Sequence, residues 1–105
     1  MDPHTVARRG EDIQILDVRE DEEWRAGRIE GAVHIPLGEM SARVVELDPG
    51  RLVVTVCRTG GRAGKAAEQL TRAGRAAEVM AGGMRGWERE HLPISTPDGR
   101  PGRVN

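Results

Sequence analysis

The sequence predicts an α/β domain, a central parallel sheet with helices on both faces. Three observations carry this. Four short apolar runs, Ile13–Val18, Ala32–Ile35, Leu52–Cys57 and Ala77–Met80, recur along a chain of 105 residues. The segments between them have helical starts, stops and spacing. The strongest runs are apolar at nearly every position, as in strands covered on both faces rather than one.

Each element has its own local cause. Ile13–Val18 is a β-branched run that ends in charge and reads as a buried strand. Glu20–Ala26 begins with acidic residues and stops at Gly27, so its charges suit the helix dipole. Ala32–Ile35 is a second strand, ended by Pro36. Leu37, Met40, Val44 and Leu47 recur at spacings of three and four, which predicts an amphipathic helix over Leu37–Leu47. Asp48-Pro49-Gly50 is a turn. Leu52–Cys57 is the clearest strand; a helix follows from Gly61 or Arg62 to Ala73 and stops at Gly74. Ala77–Met80 is a weaker strand, and Gly82-Gly83 opens a short helix through Trp87 to about His91. Residues 95–105 hold Pro97, Gly99, Pro101 and Gly102 without periodicity and read as a C-terminal tail on a domain spanning residues 1–94.

Composition narrows the functional classes. Sixteen Lys and Arg against 17 Asp and Glu leave a net charge of −1, which argues against a nucleic-acid binder held by bulk charge. No aliphatic run approaches the ~20 residues that span a bilayer. The first residues carry no apolar stretch of signal-peptide length, so a cytoplasmic protein with no membrane partner is expected. The single cysteine excludes an internal disulfide, and with His4, His34 and His91 scattered no metal site is expected. No cofactor is called for, and a monomer is expected.

The chemistry concentrates in Cys57-Arg58-Thr59-Gly60-Gly61-Arg62. Cys57 closes the best strand, and working sites of parallel sheets lie beyond the carboxyl ends of the strands. Two glycines let successive backbone N–H groups converge as an anion-binding nest, and the following helix adds its positive end. Arg58 and Arg62 add two cations. A thiol placed there is expected to ionise below the ordinary ~8.5 and act as a nucleophile, with the nest holding an anionic substrate. The bland alternative is a small buried cysteine finishing a strand; the nest and the arginines weigh against it. In an arginine-rich chain, either arginine alone could be a solvated surface charge.

The sequence resembles the rhodanese-like sulfurtransferases, specifically a single-domain rhodanese, over Ile13 to Pro93. The resemblance rests on Asp17-Val18-Arg19-Glu20 with Glu23-Trp24, on Gly27-Arg28-Ile29-Glu30-Gly31-Ala32-Val33-His34-Ile35-Pro36, on the Cys57–Arg62 loop, and on Ala81-Gly82-Gly83-Met84-Arg85-Gly86-Trp87 with Leu92-Pro93. Four elements in family order make a specific match. The resemblance implies that Cys57 takes a sulfane sulfur from a small anionic donor such as thiosulfate. Its persulfide would be cradled by the amides of Arg58 to Arg62 and passed to a thiol or to cyanide. It further implies that Arg62 closes the loop and Arg58 meets the donor's anionic end. Asp17 and Arg19 would support the site from behind, the alternative being a surface ion pair worth little. Trp87 is expected to pack the last helix on the sheet.

Three departures from the family pattern stand out. Arg28 occupies a position where the family often has His. Ala63 follows the loop arginine where many active members carry a hydroxyl, which would weaken persulfide stabilisation. Few residues precede Thr5, so the family's N-terminal edge strand is expected to be minimal or absent. Phosphatases of the same fold place five residues between cysteine and arginine to enclose a phosphate; here there are four, a ring suited to sulfur, with no aspartate in the loop to protonate a leaving alkoxide. A non-turnover persulfide carrier or regulatory module of the same fold would use the same Cys57.

Overall fold

The computed structural model describes residues 1–105. A four-stranded, wholly parallel sheet of order β2-β1-β3-β4 is built from β1 (Ile13–Asp17), β2 (Val33–His34), β3 (Leu52–Val56) and β4 (Ala77–Val79). The helices are α1 (Pro3–Arg9), α2 (Asp21–Ala26), α3 (Met40–Arg43), α4 (Gly61–Arg72) and α5 (Gly83–Arg89).

The period-two alternation of strands sorts the core into two layers. Val53 and Cys57 join Leu16, Val18, Ile35, Met40, Ala63, Ala66 and Leu70 on the α3/α4 face. Val54 and Val56 join Val6, Ile13, Met80, Met84 and Trp87 on the α1/α5 face. Helices therefore cover both faces, and the parity of β3 turns Cys57 toward α4.

Two segments, Leu37–Leu47 and residues 95–105, differ from the sequence reading, and a helix that it does not predict, α1, occupies the N-terminus. Leu37–Leu47 is one turn of α-helix flanked by 3₁₀ turns at Leu37–Glu39 and Val44–Glu46. Pro36 ahead of it, Gly38 within it and the β-branched Val44-Val45 pair all weaken a continuous helix. The apolar spacing still works, burying Met40 and Leu47 with Leu37 and Val44 packed beside them. No edge strand precedes α1. Asp2 caps that helix by accepting from the Thr5 amide at 2.8 Å, Pro3 opens it, and Met1 bonds through its main chain to Val79 and Ala81 beside β4.

Residues 95–105, expected as a tail, fold back onto the domain. Ser95 exchanges backbone hydrogen bonds with Arg28, a turn at Thr96–Arg100 reverses the chain, and Arg103 N donates to Ala26 O. Val104 is buried in the α1/α5 core layer. The signal lay in two glycines: a Cβ on Gly27 would lie 2.4 Å from Arg103 O, and one on Gly102 2.8 Å from the Gly27 Cα. Local periodicity cannot register a close approach between segments so far apart in sequence.

Candidate active site

Cys57 leaves β3 with only 1% of its surface exposed. Gly60, held at φ +138° where other residues are strained, turns its N–H back onto Sγ at 3.0 Å. Cys57 O accepts from Met84 N at 2.8 Å and Arg58 O from Arg85 N at 3.0 Å, so both carbonyls face the first turn of α5. Across a trans peptide the following amide points the opposite way, which turns the Arg58 and Thr59 N–H groups away from α5. The amides of Arg58, Thr59, Gly61, Arg62 and Ala63 donate to no acceptor in the protein. The loop thus has a carbonyl side stitched to α5 and a set of unengaged donors, several from the first turn of α4.

Gly83 makes the stitching possible. It sits at φ +57°, and a Cβ there would lie 2.5 Å from Cys57 O and 2.6 Å from Arg58 O. Thr55 ties the other side by donating its buried hydroxyl to Ala63 O at 2.9 Å. Ala63 is fully buried in the core layer that contains Cys57.

The structure partners each predicted arginine. Arg62 makes a two-pronged pair with Glu23 of α2 at 2.6 and 2.9 Å. The Arg62 hydrogen bonds hold the Glu23 carboxyl down to about 2, helped by the Glu20 amide, against the cost of burial. Glu23 in turn raises the Arg62 guanidinium above its ordinary value. Arg58 Nε donates to the main-chain oxygen of Asn105 at 2.6 Å. Thr59 is exposed at the tip of the loop.

Asp17 and Arg19 form a buried pair, not a surface one. Arg19 grips the Asp17 carboxylate through Nε and Nη2, the shortest bond being 2.8 Å. It also donates to Gly27 O at 2.7 Å and Glu23 O at 3.3 Å. Neither side chain is more than 1% exposed. Arg19 therefore joins the end of β1 to the middle and the C-terminal end of α2, the helix whose Glu23 holds Arg62. His34 Nε2 donates to Arg19 O at 2.7 Å, its ring stacks on Trp24 at 4.6 Å, and the Arg28 guanidinium lies 4.5 Å from the Trp24 centroid. Trp87 lies in the opposite core layer and donates to Pro93 O at 2.8 Å, a packing role away from Cys57.

Glu23 and Gly83 were missed as site residues by sequence reasoning, although both lie in the motifs that carry the family resemblance. The local signal at Glu23 is a capping box with Glu20, seen in the structure, and it conceals the carboxylate's second partner 39 residues away. A surface cavity of about 610 Å³ between α1, β1 and Trp87 is lined by no residue of the loop. No group of three or more His, Cys, Asp or Glu side chains is placed to hold a metal ion, and no helix is long and apolar enough to cross a membrane.

Comparison with known proteins agrees with this geometry. The family model described as Rhodanese-like domain matches residues 2–90. YtwF of Bacillus subtilis, named as a candidate sulfurtransferase, is 37% identical over 83 residues, 79% of this chain and 81% of that protein. YrkF of the same organism, named as a candidate sulfur carrier protein, is 40% identical over 78 residues, 73% of this chain and 42% of that protein. The crystal structure of a rhodanese-related protein from Thermoplasma volcanium superposes with a TM-score of 0.85 at 26% identity, covering 90% of this chain and 94% of that one. The chain belongs to the rhodanese-like domain family.

Proposed function

We propose that the chain is a sulfurtransferase that works through a persulfide on Cys57. The observation that carries this reading is the two-sided loop, with carbonyls fixed to α5 and N–H groups unengaged around a thiol at a strand end. In the reaction, the Cys57 thiolate attacks the sulfane sulfur of thiosulfate. A bond forms from Sγ to that sulfur, the sulfur–sulfur bond within thiosulfate breaks, and sulfite leaves with the electron pair. The terminal sulfur of the persulfide carries the negative charge, and the loop amides of Arg58 to Arg62 are the donors available to it. A thiol or cyanide then attacks the outer sulfur, and the Cys57 thiolate is regenerated as the bond to Sγ breaks; with cyanide the product is thiocyanate. Arg58 meets the donor's anionic end, and Arg62, locked by Glu23, keeps the start of α4 in place.

The similarity to YrkF favours a second reading, a carrier that loads sulfur and hands it to a protein with little turnover on thiosulfate.

Incubation with thiosulfate is expected to add one sulfur, about 32 mass units, to Cys57. Cyanide should then release it as thiocyanate, and Cys57→Ala should abolish both steps. Thiocyanate formation surviving in Cys57→Ala overturns the assignment. One sulfur loaded per chain without repeated turnover is the carrier's signature. With four residues between Cys57 and Arg62, p-nitrophenyl phosphate should not be hydrolysed above background.

A further inference from the structure

We infer that the segment from Gly102 to Asn105 is a strap that competes with the donor for Arg58 and so sets the affinity of the site for anions. This rests on the sulfurtransferase reading only in taking thiosulfate as the physiological type of ligand. The strap is built in. Arg28 and Ser95 pair through both backbone bonds, the Thr96–Arg100 turn reverses the chain, and Gly102 N donates to Ile94 O at 2.8 Å. The returning chain lies against Gly27, where Arg103 N donates to Ala26 O at 2.9 Å and no side chain would fit on either glycine. Val104 is sunk into the core, 7% exposed, which fixes the position of Asn105.

The main-chain oxygen of Asn105 lies 2.6 Å from Arg58 Nε, while its side-chain amide reaches Glu22 O at 3.5 Å. Arg58 is one residue from the nucleophile, and its own carbonyl is pinned to α5 by Arg85. The guanidinium thus emerges from a fixed backbone and meets an oxygen acceptor. An oxyanion that takes the guanidinium side-on, through Nε and one Nη, needs the N–H that the strap oxygen occupies. Arg62 already gives Nη1 and Nη2 to Glu23. Displacing the strap oxygen from Arg58 Nε is therefore part of donor binding.

Two independent changes release the strap without substituting a residue of the loop or of the Arg19 network: Gly102→Ala, whose methyl would lie 2.8 Å from the Gly27 Cα and 2.9 Å from Ala26 O, and removal of residues 103–105. The readout is protection of Cys57 from iodoacetamide by sulfate, in the parent and in both variants, with and without Arg58→Leu. Both releases should lower the half-protecting sulfate concentration several-fold, about fivefold for loss of one competing solvent-exposed hydrogen bond. The KM for thiosulfate should fall in parallel, with kcat little changed. In the Arg58→Leu background the release should have no effect. An unchanged or raised half-protecting concentration overturns the proposal, as does a shift that persists in Arg58→Leu. Thiocyanate absent from every protein would refute the sulfur-transfer reading instead, while the sulfate titration would still decide the strap.

Discussion

Two arginine–carboxylate pairs, linked through α2, do different work because they differ in burial. Asp17–Arg19 is sealed, 1% and 0% exposed, with the guanidinium also bonded to the carbonyls of Gly27 and Glu23. Glu23–Arg62 is wetter, 15% and 34% exposed, and its arginine stands in the first turn of α4 beside the Cys57 loop. The sealed pair sets where α2 sits relative to β1. The half-exposed pair transmits that position to the loop. In the low dielectric of the interior a broken pair leaves a desolvated charge, whereas at the mouth water takes over much of the lost interaction.

The sharpest way to break this division is Arg19→Leu. It strands the buried Asp17 carboxylate and leaves two carbonyls without their donor, so a loss of about 3–5 kcal/mol is expected. For a domain of this size that is a fall in Tm of at least roughly 12 °C. Urea and thermal denaturation measure it, and a loss within the range of surface substitutions would show that the pair does not frame the site.

Next in size is Gly83→Ala, which touches neither pair and tests the loop from below. The added methyl meets the Cys57 and Arg58 carbonyls and must push them away, in a backbone region that costs an alanine about 1–2 kcal/mol. If Cys57 is the nucleophile proposed above, displacing it by ~1 Å is expected to lower kcat/KM for thiosulfate about 100-fold. Sulfur transfer at the parental rate would mean that the α5 contacts do not position the loop.

Arg62→Leu is expected to invert the pattern of Arg19→Leu, costing about 1 kcal/mol of stability or less but more turnover than Arg58→Leu. Arg62 orders the start of α4, so its loss should lower kcat, whereas loss of Arg58 should chiefly raise KM for thiosulfate. Steady-state kinetics on the two variants decide this, and equal effects on kcat would remove the distinction.

The features legible in the sequence are those set by neighbours along the chain. Leu52–Cys57 announces a strand, Gly60-Gly61 a turn, and the stretch from Gly61 or Arg62 to Ala73 a helix stopped by Gly74, so Cys57 could be placed at a strand end before a helix. The α3 segment shows the limit of periodicity, because apolar spacing survives in 3₁₀ turns as well as in a helix. The Asp17–Arg19 motif was visible, but its burial was not, since burial comes from α2 closing over it. Glu23 meeting Arg62 and Gly83 beneath Cys57 are contacts made by the sheet order, Asn105 on Arg58 is made by the fold-back of residues 95–105, and no local pattern encodes them.

The smallest expected effect isolates charge from shape in the half-exposed pair. Glu23→Gln keeps the size of the side chain and one oxygen for Arg62 Nη1 and the Glu20 amide, and removes the charge together with the second oxygen that accepts from Arg62 Nη2. The native carboxyl titrates at about 2, against an ordinary 4.5. A carboxyl held down in the folded state stabilises it fully above the unfolded value, and that contribution fades as pH falls through the folded value. Parent and variant should therefore differ at pH 7, by about 1 kcal/mol given the exposure of the pair, and converge as the pH falls from about 4.5 toward 2. Urea midpoints at pH 7 and pH 2.5 provide the comparison. A difference that persists undiminished at the lower pH would mean that the substitution acts through packing, and that the pair at the loop resembles the sealed one more than its exposure implies.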